Sequence, residues 1–204
     1  MNIIFDWSGV IKDAAAAHLW VVNRMFEKFG LKEITLEELK ENWVQPYMLF
    51  YNKYLPNLTL EEEQTAYREA ILHEDCPKST AFPGIPELVK KLKKRGDYVA
   101  VISSDLPETV LPEMKEYGLE NIFDDVVIHT HDKTEAIKNL INVHSMEPAV
   151  TFFIGDSNHE IIAGKRARVK TIAVTWGFST ERGLKSENPD FLVHDIKELE
   201  EVIT

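Results

Sequence analysis

Cysteine is nearly absent: Cys76 is the one thiol in 204 residues. A lone thiol excludes an internal disulfide framework and points to a reducing, cytoplasmic setting. No stretch approaches the roughly 18 consecutive apolar residues of a membrane span. The N-terminus lacks a basic region followed by a long apolar one, so no signal peptide is expected. Basic runs are missing too. The 23 Lys and Arg stand against 34 Asp and Glu, a net charge of −11. That balance argues against nucleic acid, whose binding needs an extended basic surface. Neither internal repeats nor low-complexity tracts occur. With 44% hydrophobic and 28% charged residues, the composition is globular rather than disordered or collagenous. The length is about one and a half nominal domains, which suits one domain with a sizeable insertion.

What is present falls into three blocks. The run Ile3-Ile4-Phe5-Asp6, bounded by Trp7-Ser8-Gly9, reads as a buried strand. Residues 13–80 then read as all-helical, with about four helices. Leu19, Val22, Phe26 and Phe29 recur at helical spacing, and Gly30 ends that helix. Thr35 to Glu38 and Thr59 to Glu62 each fit a capping box. Trp43, Tyr47, Phe50, Tyr51 and Tyr54 repeat at three and four, which says helical core before substrate pocket.

From Phe82 onward strands and helices alternate. A Lys-rich helix runs to Arg95 and stops at Gly96. Strands are predicted at 98–102, 126–128, 151–154 and 171–174. Helices are predicted towards Tyr117, over 134–144 and over 160–168. Short apolar strands alternating with helices define an α/β fold, a Rossmann-like parallel sheet with helices on both faces. The core comprises 1–12 and 81–204, interrupted by the helical insertion 13–80.

Chemistry in such a sheet collects beyond the carboxyl ends of the strands. Asp6 and Ser8 follow the first strand, and Ser103 and Ser104 the second. Lys133 follows the third; Asp156 and Glu160 follow the fourth. Hard carboxylate oxygens at low ligand count suit Mg²⁺. A hydroxyl, backbone N–H groups and a lysine suit a phosphoryl group. A buried carboxylate beside a metal can act as a nucleophile.

Four spaced motifs now stand together. They are Ile3-Ile4-Phe5-Asp6-Trp7-Ser8-Gly9, Val101-Ile102-Ser103-Ser104, Lys133, and Phe153-Ile154-Gly155-Asp156-Ser157-Asn158-His159-Glu160 continuing to Trp176-Gly177. In this order, with a helical insertion after the first, the whole chain resembles the haloacid dehalogenase-like hydrolase superfamily. The insertion looks like its C1-type cap, and the layout is similar to that of phosphoglycolate-phosphatase-like members. The resemblance implies a Mg²⁺-dependent phosphatase whose cap closes over the site. Asp6 matches the nucleophile and Asp156 the Mg²⁺ ligand. Ser103, with the Ser104 N–H, matches the group that holds the phosphoryl. Lys133 matches the lysine that neutralises nucleophile and phosphoryl charge, a substrate-binding and catalytic role. Position 8 would add a backbone carbonyl to the metal, and Glu160 stands where a second, often outer-shell, acid is expected. The implied partner is a small phosphorylated metabolite, with no membrane and no nucleic acid, for a monomer or homodimer.

The first motif departs from the family pattern. Phosphatases of this kind carry Asp-x-Asp followed two residues later by Thr; here those positions are Ser8 and Val10. The second Asp protonates the leaving oxygen and then activates water. General acid–base help is worth about 10²–10⁴-fold. Alkyl phosphates should therefore turn over slowly, and Ser8→Asp should speed them. Two rival readings follow. Phosphonoacetaldehyde hydrolases carry the similar Asp-Trp-Ala-Gly and cleave a C–P bond through a cap-lysine Schiff base, a role open to Lys40 or Lys53. A catalytically impaired member would bind a phosphorylated ligand without turnover. Haloacid dehalogenases proper lack a metal-binding fourth motif, so Gly155-Asp156 argues against them. His129, His131 and His159 lie near the motifs and read as loop histidines before metal ligands. Cys76 has no base in sight and reads as inert.

Overall fold

A computed structural model describes residues 1–44 and 46–203. In chain order the elements are β1 (Asn2–Asp6), β2 (Lys12–Asp13), α1 (Ala15–Lys28), α2 (Leu36–Asn42), α3 (Met48–Tyr54) and α4 (Leu60–Ile71). There follow β3 (Thr80–Ala81), α5 (Ile85–Arg95), β4 (Tyr98–Ile102), α6 (Pro107–Glu116), β5 (Asp125–Val127) and α7 (Lys133–Val143). The last are β6 (Thr151–Gly155), α8 (Asn158–Ala167), β7 (Lys170–Val174), α9 (Glu181–Ser186), β8 (Phe191–Val193) and α10 (Ile196–Ile203). The chain divides into two compact units, Met1–Asp13 with Thr80–Thr204, and Ala14–Ser79.

Six strands of the first unit form a parallel sheet in the order β5-β4-β1-β6-β7-β8. Alternation along each strand serves two apolar layers. Ile3, Phe5, Val99, Val101 and Ile154 join Leu88, Val89 and Leu92 of α5, Val110 of α6 and Leu199 of α10 on one face. Ile4, Ala100, Ile102 and Phe153 join Ile137 and Leu140 of α7 and Ala163 of α8 on the other. The chain winds from β1 to β4 and β5 on one side, then crosses back to β6 on the other. The switch point lies between β1 and β6, the crevice where ligands of open α/β sheets bind.

Local signals explain the helix ends. The αL residue Gly96 closes α5, as a left-handed C-cap favours glycine. Pro107 sits at the start of α6, where its missing N–H costs nothing. β8 is an addition to the strands read from the sequence. It has three residues and follows Asn188-Pro189-Asp190, too short to show a period.

The second unit has its own core. Val21, Val22, Met25, Phe26, Leu39, Phe50 and Tyr51 are buried together, with Trp43, Tyr47 and Tyr54 packed against them. Trp43 and Phe50 lie 5.1 Å apart, Phe26 and Phe50 6.2 Å. The aromatic repeat is thus core, in line with its spacing. Both capping boxes are formed, Thr35 with Glu38 and Thr59 with Glu62.

Candidate active site

β1 delivers Asp6 to the edge of the sheet, and Gly155 ends β6 beside it, so Asp156 follows one residue on. Lys133 opens α7 and Glu160 lies in the first turn of α8. All four side chains are buried. Lys133 Nζ donates to Asp6 Oδ1 at 2.9 Å and to Glu160 Oε1 at 2.8 Å. Oxygens of Asp6, Asp156 and Glu160 lie within 4.8 Å of one another. Among the described residues this trio is the metal-capable cluster, and no histidine belongs to it. Glu160 is thus brought into the same cluster as Asp6 and Asp156.

Burial and crowding set the electrostatics. Burial pushes Asp6 up to about 7, and Glu160 adds to this against the pull of Lys133. Asp156 is raised well above the usual carboxylate range by burial, Glu160 and Asp6, although the Phe178 N–H at 2.6 Å opposes this. Burial would also raise Glu160, but Lys133 and the Ser157 hydroxyl outweigh it and the net shift is downward. Burial would lower Lys133, yet its two carboxylates dominate and hold it charged. Lys133 pairs with Asp6 and Glu160, while Asp156 accepts the Phe178 N–H; crowding of three buried carboxylates is what a divalent cation relieves. Hard oxygen donors fit Mg²⁺.

Close backbone approach builds the rest. A Cβ on Gly9, whose φ is +84°, would lie 2.0 Å from Asp156 Oδ2, and one on Gly177 2.2 Å from the same atom. The glycines of the first motif and of the segment after β7 thus leave room for Asp156. Ser103 is buried one residue beyond Ile102, the β4 partner of Asp6. Its hydroxyl accepts the Asp105 N–H at 3.0 Å. Ser104 is half-buried. His129 and His131 are exposed, with rings 5.9 Å apart. Val10 is fully buried in the apolar layer with Trp7 and Ile11, so position 10 is a core position. Lys40 and Lys53 belong to the helical unit, where Lys53 is exposed and donates to Asn42.

Position 8 holds what the sequence reading missed. The Ser8 hydroxyl donates to Asp105 Oδ2 at 2.6 Å. Lys12 Nζ lies 3.5 Å from the same oxygen and 2.8 Å from Glu113 Oε1. The Trp7 indole N–H donates to Glu113 Oε2 at 2.9 Å. A carboxylate directly after Ser103-Ser104 was the available signal. Its pairing across 97 positions of sequence was not.

The parallel sheet thus gathers two aspartates, a lysine and a glutamate at its carboxyl edge. The haloacid dehalogenase-like hydrolase family pattern matches residues 3–174; the chain belongs to that family and is a hydrolase. It is 27% identical over 203 residues to pyrophosphatase PpaX of Oceanobacillus iheyensis, covering 97% of this chain and 94% of that one. It is 24% identical over 206 residues to phosphoglycolate phosphatase of Synechococcus elongatus, covering 99% and 96%. A crystal structure of a predicted phosphatase from Clostridium acetobutylicum has the same fold, with a TM-score of 0.87, 21% identity and coverage of 99% and 97%.

Proposed function

We propose that this chain is a Mg²⁺-dependent phosphatase acting through an aspartyl-phosphate on Asp6. One observation carries the reading: a buried Asp6 bonded to Lys133, with carboxylates of Asp156 and Glu160 within 4.8 Å. An Asp6 oxygen attacks phosphorus, an O–P bond forms, and the bond to the leaving oxygen breaks. Lys133 holds Asp6 in place and offsets the charge that gathers on the transferring group. Ser103 and the Ser104 N–H face the same edge and hold phosphoryl oxygens. Oxygens of Asp6, Asp156 and Glu160, with the position-8 carbonyl, would hold Mg²⁺, which supplies Lewis-acid stabilisation of phosphoryl oxygens. Water then hydrolyses the aspartyl-phosphate.

Ser8 narrows the substrate. A hydroxyl in contact with a carboxylate has no spare proton for a poor leaving group. Substrates whose leaving group departs without one fit best: phosphoanhydrides such as pyrophosphate, acyl phosphates and aryl phosphates. Similarity to a pyrophosphatase supports the first. The test is turnover of pyrophosphate and of an aryl phosphate, with and without Mg²⁺. Activity should require Mg²⁺ and vanish in Asp6→Asn. Activity that survives either change refutes the mechanism.

A further inference from the structure

Resting on that phosphatase reading, we infer that Asp105, acting through the Ser8 hydroxyl, takes the place of the carboxylate missing from the first motif. Ser8 is two residues beyond Asp6, at the position where the family pattern puts an acid. Its side chain does not stand alone, because its O–H donates to Asp105 Oδ2 at 2.6 Å. A hydroxyl that donates to a carboxylate keeps its lone pairs as acceptors, and the carboxylate makes them more basic.

The surroundings fix Asp105 for this task. Its backbone N–H is tied to the Ser103 hydroxyl at 3.0 Å, at the end of β4. Its backbone C=O accepts the His129 N–H at 3.2 Å. Lys12 Nζ, 3.5 Å from Oδ2, supplies a compensating charge, and Lys12 is in turn anchored by Glu113 at 2.8 Å. Gly9 N–H to Lys12 C=O at 2.8 Å and Lys12 N–H to Trp7 C=O at 2.9 Å close the turn that carries Ser8. Ser8, Lys12 and Asp105 are therefore tied into one bonded group. The Asp105 side chain keeps 16% of its surface in solvent, enough to exchange a proton with water.

The step is the hydrolysis of the aspartyl-phosphate. Water oxygen bonds to phosphorus and the Asp6 O–P bond breaks, returning an Asp6 carboxylate. The water proton passes to Ser8 Oγ while the Ser8 proton passes to Asp105 Oδ2, and Asp105 then releases it to solvent. No proton is needed in the first step for an aryl or anhydride leaving group. The arrangement thus serves the second half-reaction alone. Because it acts through Ser8, Asp105 is a positioning residue.

The experiment is a rapid-mix reaction of the full chain with Mg²⁺ and an aryl phosphate. The burst of phenolate reports phosphorylation of Asp6, and the later steady rate reports its hydrolysis; intact mass after acid quench reports the phosphoenzyme. In Asp105→Asn the burst should stay within about a factor of three while the steady rate falls about 100-fold and phosphoenzyme accumulates. Ser8→Ala should do the same. The double variant should be no slower than either single one, since both act on one path. Glu113→Gln removes the other partner of Lys12 and tests a purely structural effect; its burst and steady rates should fall together or not at all. A burst that slows with the steady rate in Asp105→Asn, an unchanged steady rate, additive losses, or a Glu113→Gln that mimics Asp105→Asn overturns the inference. Absence of any phosphoenzyme in the unmodified chain, and of Mg²⁺-dependent turnover, overturns the phosphatase reading itself.

Discussion

Restoring the carboxylate at position 8 is the obvious repair suggested by the sequence, and the structure says that it should fail by itself. Ser8 Oγ touches Asp105 Oδ2 at 2.6 Å. Ser8→Asp places a second carboxylate against the first. At a charge separation of about 4 Å and an effective dielectric of about 20, two like charges repel by about 4 kcal/mol. Lys12 offsets part of this, but it already serves Asp105 and Glu113. The net cost is about 2–3 kcal/mol, a large share of a typical stability of about 5–15 kcal/mol. Asp105→Asn in the same chain removes the repulsion and keeps one carboxylate in the pair. The assay is urea unfolding at neutral pH beside turnover of an alkyl phosphate. Ser8→Asp should unfold at clearly lower urea and gain little activity. The double variant should recover most of the stability and turn over alkyl phosphates about 10²-fold faster than the unmodified chain, the lower end of general-acid help. A Ser8→Asp chain as stable as the parent would refute the reasoning, because the two side chains would then not share one space.

Two further outcomes follow from the geometry. Gly177→Ala puts a methyl 2.2 Å from Asp156 Oδ2; it should cost about 1–3 kcal/mol, and where the proposed Mg²⁺ site is correct, Mg²⁺ should raise the melting temperature of the parent and not of the variant, as read by thermal scans. Glu63 is buried in the helical unit, and burial pushes it up to about 7 from 4.5 despite a hydrogen bond from Tyr47. The unfolded chain ionises this group first, so its stabilising share is whole below about 4.5 and is lost as pH rises towards 7. Urea midpoints at pH 4.5 and 7.5 should therefore differ less in Glu63→Gln than in the parent; an equal difference refutes the assignment.

Local signals made much of the fold legible. Thr35 and Thr59 announce helices because their partners lie three residues on. Gly96 ends α5 because a left-handed residue there favours glycine. The strands of the parallel sheet are apolar runs because both faces are covered. Asp6, Ser103 and Asp156 were legible because each stands at or just past the end of such a strand, and Lys133 because it opens the helix after β5. β8 was not, since three residues carry no period. The Ser8–Asp105 contact was not either: it forms between loops after two neighbouring strands, and only strand pairing brings them together. Val10 shows the same limit. The sequence marks it as a departure from the family's Thr, and only packing against Trp7 and Ile11 shows it to be core.

β2 and β3 pair antiparallel, Lys12 with Ala81 and Asp13 with Thr80. The chain therefore leaves the sheet unit and returns to it at adjacent points. Anything inserted between Asp13 and Thr80 is held by a ready-made two-strand socket, and the sheet need not sense its length. Such a socket makes the insertion an exchangeable module. The insertion can therefore change in length or sequence while the strand ends that carry Asp6, Lys133, Asp156 and Glu160 stay in one frame.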